Sequence, residues 1–333
     1  ACQTLWPTDE GGGVKSPKLL LHTDAPERAL EVIARHHPDL APDIWTRFEG
    51  LAELVAEREP EVVYTLNFGR GPFPREALID ASSVKWIANS GSGVNHLTPW
   101  DSARITVTNS AGVAADAMAQ FAIGMMLHFG LDISGMQADQ RQRIWRSRRI
   151  APLFEKTRLI VGLGKTGCAA ARLADATGMT VLGVRARPKL TPCVSEVFGT
   201  ERIRDPLARA DYVLVCLPLL PTTRGMFDDD LFAAMKPGAV LVDVSRGGIV
   251  RSQALIRALE AGILSGAALD VAEKEPLPPD HPLWSRDDVL ISPHCSGVYD
   301  GWEVRSLTWF AENLIRYRKG DALLNVVDPE RGY

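Results

Sequence analysis

Cysteine is scarce in this chain and wrongly spaced for a disulfide framework or a zinc site. There are five in 333 residues (Cys2, Cys168, Cys193, Cys216 and Cys295), an odd number with no C-x-x-C pair. That pattern points to reduced thiols in a cytoplasmic protein and to no bound metal. No apolar run reaches the roughly 18 residues of a membrane span, and the N-terminus has no basic segment leading into an apolar one. Neither a membrane partner nor a signal peptide is expected. Neither sign of charge dominates, since 37 Lys and Arg against 41 Asp and Glu leave −4. This argues against bulk attraction to nucleic acid or to an anionic membrane. Internal repeats and low-complexity tracts are missing as well. What remains is ordinary globular material, 46% hydrophobic and 23% charged, in a length better divided between two domains than held in one.

The opening stretch, through Gly11-Gly12-Gly13 to Pro17, reads as a flexible lead-in with no part in the fold. From Lys18 strand and helix signals alternate: Leu19-Leu20-Leu21, a helical stretch Pro26 to His36, Val62 to Leu66, a helical stretch near Pro74 to Ile79, Val84 to Ala88, and Ile105 to Thr108. That is a small α/β layer. Val113 to Leu131, rich in Ala, Met and Phe, reads as a buried helix connecting two domains. A second alternation runs through Leu159-Ile160-Val161, Met179 to Val184, Tyr212 to Cys216, Ala239 to Val244, Gly266 to Leu269 and Val289 to Ile291. Helical stretches fall between, notably Asp229 to Met235 and Ser252 to Ala261. Nearly all-apolar runs of this kind fit parallel strands buried on both faces. Glu303 to Lys319 has helical spacing in Leu307, Phe310, Leu314 and Tyr317, and is expected to return to the first domain.

A further absence is informative. Gly162-Leu163-Gly164-Lys165-Thr166-Gly167 stands between a strand signal and an Ala-rich helix signal, the order required of a dinucleotide-binding fingerprint. Gly162 would permit the tight turn, Gly164 the approach of the pyrophosphate, and Gly167 close helix–strand packing. About 20 residues on, such sites carry an Asp or Glu for the adenosine ribose. Here the place is basic: Arg185 lies 18 residues past Gly167 (185 − 167), with Arg187 and Lys189 just beyond. Basic residues suit a 2′-phosphate, so NADP (NADPH) is expected over NAD. Without the fingerprint the same residues would read as solvated charges.

Ligands of a doubly wound sheet sit beyond the carboxyl ends of its strands. Three residues there can do chemistry: Arg246 after the strand ending at Val244, Glu275 after the one ending near Val271, and His294 after the one ending at Ile291. A cation can hold a carboxylate and polarise a carbonyl, and a histidine can pass a proton near neutrality. A carboxylate beside the histidine would favour its charged form. Singly, each would read as a surface ion-pair partner or a loop histidine. His22, His36, His37, His96 and His281 show no such arrangement and read as structural.

Val244-Ser245-Arg246-Gly247-Gly248, the run Asp270 to Pro278, and Ser292-Pro293-His294 resemble the signatures of the D-isomer-specific 2-hydroxyacid dehydrogenases. The gaps of 29 (275 − 246) and 19 (294 − 275) fit that family's Arg, Glu, His order. Of two nearby acids its catalytic place falls on Glu275, not Glu273. The likeness extends from about Lys18 to Tyr333, taking in Asn109 to Gly112 and Leu217-Pro218-Leu219. It departs at Leu131, where many members carry Arg, at Gln120 in place of a common Glu, and at the missing ribose acid.

The resemblance implies two Rossmann-like domains. One is a smaller flavodoxin-like substrate domain, 18-112 plus 298-333, and the other a doubly wound parallel-sheet cofactor domain, 113-297, with a dimerisation arm near 131-150. It implies hydride transfer between a nicotinamide and C2 of a 2-oxo acid. Arg246 would bind the carbonyl oxygen and carboxylate, His294 would give its proton to the developing alkoxide, and Glu275 would keep His294 protonated and oriented. Asp270 would hold the carboxamide, and Leu217, Pro218, Thr223, Val244 and Ser245 would join the fingerprint around the cofactor. Ser90-Gly91-Ser92-Gly93, on its own only a turn, would cradle the substrate carboxylate. Domain closure would exclude water.

The Arg-rich stretch Gln137 to Arg149 corresponds to an arm wrapping a second subunit, so a homodimer is expected, with Trp145 reaching the neighbouring site. The run Leu324 to Tyr333 resembles glyoxylate/hydroxypyruvate reductase-like members, favouring a small 2-oxo acid and leaving a bulkier one open. Asn67, Phe68, Trp100, Tyr299 and Trp302 either line a side-chain pocket or pack in the core. A different class, a dinucleotide-sensing co-regulator of the same fold, is separated from the enzyme by turnover.

Overall fold

The computed structural model describes residues 15–67 and 72–329. Phe68, the triglycine run and Arg331 to Tyr333 lie outside them. The chain divides into two compact units, Ala1–Ser110 with Glu303–Tyr333, and Ala111–Trp302.

The first unit carries five parallel strands: β1 (Leu19–His22), β2 (Asp43–Trp45), β3 (Val62–Thr65), β4 (Trp86–Asn89) and β5 (Thr106–Asn109). Their order is β2-β1-β3-β4-β5, the flavodoxin-like arrangement. Helices α1 (Pro26–His36), α2 (Leu51–Arg58) and α3 (Glu76–Ile79) link them. The C-terminal helix Trp302–Lys319 lays Leu307, Phe310, Ala311 and Leu314 against Leu19, Leu21, Tyr64 and Trp86. The lead-in is shorter than expected. Pro17 is buried, and Lys15 exchanges bonds with Arg318, its amide donating to the Arg318 carbonyl (3.2 Å) and its carbonyl accepting from Nε (2.8 Å). A backbone pinned at both polar groups is part of the fold.

The second unit carries seven parallel strands: β6 (Thr157–Val161), β7 (Thr180–Val184), β8 (Glu196–Phe198), β9 (Tyr212–Val215), β10 (Ala239–Asp243), β11 (Leu264–Leu269) and β12 (Val289–Ile291). Their order, β12-β11-β10-β9-β6-β7-β8, is doubly wound, with its switch point between β6 and β9. Helices α4 (Ala115–Gly130), α5 (Ile133–Arg141), α6 (Lys165–Ala176), α7 (Arg204–Leu207), α8 (Asp229–Phe232) and α9 (Ser252–Glu260) complete it. Alternation along β6 shows why its run is all apolar: Leu159 and Val161 enter one core, Ile160 the other.

Two expectations need correction. The Ala- and Met-rich helix is not buried all round: α4 lies within the second unit and buries one stripe, Ala115, Ala119, Ala122, Met126 and Gly130. The helix expected to Met235 ends at Phe232, because Met235 already belongs to the turn into Pro237-Gly238, where Gly238 takes a φ of 81°. Among the described residues no helix is long and apolar enough to cross a membrane, and no group of three or more His, Cys, Asp or Glu is placed to hold a metal ion.

Candidate active site

Gly162 follows β6 at the switch point with a φ of 109°, and a Cβ there would lie 2.6 Å from the Cys216 carbonyl oxygen at the exit of β9. Gly167 packs α6 on that turn so closely that a Cβ would meet the Gly162 oxygen at 2.0 Å. Beside Gly164, the N-cap of α6, nothing lies within 4 Å of the added carbon. A tight turn, a closely packed helix and an open approach to its amino end fit a dinucleotide pyrophosphate. Leu163 is turned into the core against Gly183, so only its backbone faces that approach. The Thr166 hydroxyl donates to Met118 Sδ (3.7 Å), and the Lys165 side chain runs past Gly112.

Arg185 is the first residue after β7. It is half-buried, and its amide is fixed on the Phe198 carbonyl (3.1 Å). Arg187 and Lys189 are exposed. Among the described residues none of the three has a salt-bridge partner, whereas Arg202 and Arg209 nearby do.

Arg246, Glu275 and His294 are brought to one end of the sheet, beyond β10, β11 and β12. His294 Nδ1 lies 2.8 Å from Glu275 Oε2. The histidine holds a left-handed φ of 52°, fixed by its amide donating to the Asp270 (2.9 Å) and Ser292 (3.0 Å) carbonyls. A non-glycine residue in that region is a cost the surroundings must enforce. Glu275 Oε1 accepts from the Ala272 amide (3.1 Å). Partial burial raises the Glu275 carboxyl, but the His294 and Ala272 bonds and the nearby charges bring it below the usual carboxylate range. Arg246 is half-buried with Nη1 on the Ser245 carbonyl (2.7 Å), and Glu275, Asp270 and Asp243 all act on its charge. Burial is the larger effect and lowers its pKa, which at a guanidinium leaves the charge in place.

Asp270, buried at the exit of β11, accepts from Ser292 Oγ (2.7 Å) and from the amides of Cys295 (2.8 Å) and Ser296 (3.0 Å). Val244 is buried, and the Ser245 hydroxyl is committed to Asp243. Thr223 closes the loop that begins at Leu217. It donates to the Pro218 carbonyl (2.7 Å) and accepts from the Leu220 amide (2.8 Å), so it shapes that loop.

In the first unit, two strand-end asparagines organise Ser90–Gly93. Asn89 Nδ2 donates to the carbonyls of Gly91 (2.9 Å) and Gly93 (3.0 Å), and Asn109 Nδ2 to that of Ser92 (2.9 Å). Among the described residues no carbonyl accepts from the amides of Gly91, Ser92 or Gly93. Three amides on one short loop are thus left without a backbone acceptor. Trp100 is a core residue, 8% exposed among Leu97, Ile105 and Val107, which decides against a pocket role. Tyr299 donates to the Val113 carbonyl (3.0 Å), Trp302 starts the C-terminal helix half-buried, and Asn67 is exposed.

Sequence reasoning missed Asn89, Ser292 and Asp243. The available signal was a polar residue ending or just following an otherwise apolar strand.

A doubly wound sheet with a glycine fingerprint at its switch point and an Arg, Glu, His set beyond its strands defines a dinucleotide-binding oxidoreductase. The sequence model of the D-isomer specific 2-hydroxyacid dehydrogenase, NAD binding domain, matches residues 123–296. A glyoxylate reductase from Korarchaeum cryptofilum is 28% identical over 328 residues, covering 94% of this chain and 96% of that protein. The crystal structure of a D-isomer specific 2-hydroxyacid dehydrogenase from Xanthobacter autotrophicus Py2, in complex with NADPH and MES, superposes with a TM-score of 0.84 at 30% identity, over 96% of this chain and 100% of that one. A 2-hydroxyacid dehydrogenase structure from Rhizobium etli, in complex with NADP, HEPES and L(+)-tartaric acid, gives 0.81 at 25% identity, over 96% and 100%. The chain belongs to the D-isomer specific 2-hydroxyacid dehydrogenase family.

Proposed function

We propose that this protein reduces a small 2-oxo acid of the glyoxylate or hydroxypyruvate type to the D-2-hydroxy acid, with NADPH as reductant. The observation that carries the reading is the 2.8 Å contact of His294 Nδ1 with Glu275, on a strained turn beside the half-buried Arg246. Bound nicotinamide supplies the hydride to C2. The chain's own residues do the rest. Arg246 binds the carboxylate and carbonyl oxygen through its fork of donors. With Nδ1 directed at Glu275, Nε2 of His294 is the nitrogen left to deliver a proton to that oxygen. Glu275, held below the usual carboxylate range, is ionised at neutrality and stabilises the charged imidazole. The free amides of Gly91, Ser92 and Gly93 suit a carboxylate, and Asp270, with its donors in place, holds the carboxamide.

The basic set Arg185, Arg187 and Lys189 supports NADPH. That both solved relatives described above carry NADPH or NADP agrees with it. The glyoxylate reductase relative supports a small substrate. Oxidation of NADPH and NADH should be followed with glyoxylate, hydroxypyruvate, pyruvate, phenylpyruvate and larger 2-oxo acids. Fastest turnover is expected with NADPH and the two smallest hydroxylated or unsubstituted acids. Tight NADPH binding without turnover of any acid would favour the sensing role instead.

A homodimer is part of the proposal. No residue of α5 is buried, and Trp145 just beyond it is 101% exposed, with Ile150 and Phe154 also exposed. Apolar surface gathered on one projecting segment suits a second copy of the chain. Light scattering at micromolar concentration should give a dimer mass, and a monomer would remove Trp145 from the site. The cysteine pattern supports a cytoplasmic location.

A further inference from the structure

Asp243 ends β10 three residues before Arg246, and only 2% of it is exposed. Its Oδ1 accepts from the Ser245 amide (2.9 Å) and from the Ser245 hydroxyl. This Asx-type turn fixes the backbone between the strand and the arginine, whose Nη1 folds back onto the Ser245 carbonyl. The strand register sets a second acid alongside. Asp243 pairs with Leu269 of β11, and the amide of the next residue, Asp270, donates to the Asp243 carbonyl (2.9 Å).

The two carboxyls are served unequally. Asp270 takes donors from Ser292, Cys295 and Ser296, whereas among the described residues Asp243 has only those of Ser245. Facing Asp243 are Asp270 from the exit of β11, Cys216 from the exit of β9 and Arg246 from its own turn. Arg246 is the one cation among them. Burial first, and the charge of Asp270 with it, push the Asp243 carboxyl up to about 7, against the Ser245 bonds and Arg246 that favour its ionised form.

We infer that Asp243 is a positioning residue for Arg246 whose carboxyl takes up a proton when the substrate carboxylate binds that arginine. The inference rests on the reductase reading above. An arriving anion claims the charge that had compensated Asp243, and a buried carboxylate without compensation is costly enough to protonate. Uptake and binding are then linked, and the linkage has a fixed sign. Below neutrality Asp243 is already neutral and Arg246 is fully available to the substrate. As pH rises, the ionised acid competes for Arg246, so substrate affinity falls while the hydride step is untouched. KM carries the effect, not kcat.

The test uses the NADPH-loaded protein and oxamate, a 2-oxo acid analogue that is not reduced, with its affinity measured by calorimetry between pH 6 and 8.5 in buffers of different ionisation enthalpy. His294 is a second proton-carrying group beside the substrate, so Asp243→Asn is compared with the native residue in both the native and the His294→Asn backgrounds. Asparagine still accepts from Ser245 through Oδ1 and is always neutral. With Asp243 present, oxamate affinity should fall toward tenfold per pH unit at the alkaline end, with buffer-dependent heat. With Asp243→Asn in the His294→Asn background, both dependences should vanish, and affinity at pH 8.5 should exceed that of the Asp243 form. An unchanged pH dependence in Asp243→Asn, or a uniform loss of affinity at every pH, overturns the inference alone. No oxamate binding by the native protein at any pH, with NADPH bound, overturns both it and the reductase reading.

Discussion

Replacing His294 by Asn is expected to lower kcat for 2-oxo acid reduction by about 10²- to 10⁴-fold, the usual worth of a positioned general acid. NADPH affinity should stay near native, because the fingerprint, the turn after β7 and Asp270 are left in place. The amide keeps roughly the shape of the ring and a donor toward Glu275, but it has no proton to give. Hydride addition would then leave an alkoxide on C2 with only the Arg246 charge to relieve it. Glu275→Gln should act through the same proton less severely, because the ring survives while the partner of its charged form is lost. The pH profile separates the two. Reduction consumes the proton that His294 delivers, so native kcat/KM should fall as pH rises. Glu275 is held below the usual carboxylate range, so its support is present at neutrality and lost only as pH falls through that lowered value. In Glu275→Gln the alkaline fall should move to lower pH. Steady-state rates over pH 5 to 9, with NADPH binding followed by fluorescence, check both variants, and native-like kcat in His294→Asn would refute the proton-donor role.

The long apolar runs were legible because the central strands of the second unit are buried on two faces, so composition alone marks β6, β9 and β10. Two of the four edge strands were not. β2 (Asp43-Ile44-Trp45) and β8 (Glu196-Val197-Phe198) are three residues long, each opening on an acid, and they are strands only because β1 and β7 offer free edges. The site divides the same way. Arg246, Glu275 and His294 could be found from strand ends and spacing, since their chemistry is local to the side chain. Asn89, Asn109 and Asp243 act through bonds that exist only once turns close and strands take register. In sequence they are merely polar residues after apolar ones. Thr223, expected at the cofactor, has its hydroxyl bonded within its own loop, a role that also appears only once that loop has closed.

Arg185→Asp is expected to reduce the ratio of kcat/KM for NADPH over NADH by about 10- to 10²-fold. Losing one charge-assisted bond costs roughly 1.5–3 kcal/mol, and a new carboxylate adds repulsion toward a 2′-phosphate. Arg185 should dominate over Arg187 and Lys189 for two reasons of position. It leaves β7 at the carboxyl end with its amide pinned to Phe198, so its side chain starts from a fixed point, and its half-burial limits screening. The other two are exposed, hold their long side chains in one geometry only at an entropic cost, and work through water. Each replaced by Ala should shift the ratio severalfold at low salt and less as salt rises. The Arg185 effect should persist in salt. The same aspartate can accept from the ribose hydroxyls of NADH, the task of the acid that family members with NAD place there. NADH kcat/KM should therefore rise while that for NADPH falls. Kinetics with both cofactors at fixed substrate decide it: if both fall together the substitution has merely damaged the turn after β7, and an unchanged ratio places the discrimination between the two cofactors elsewhere.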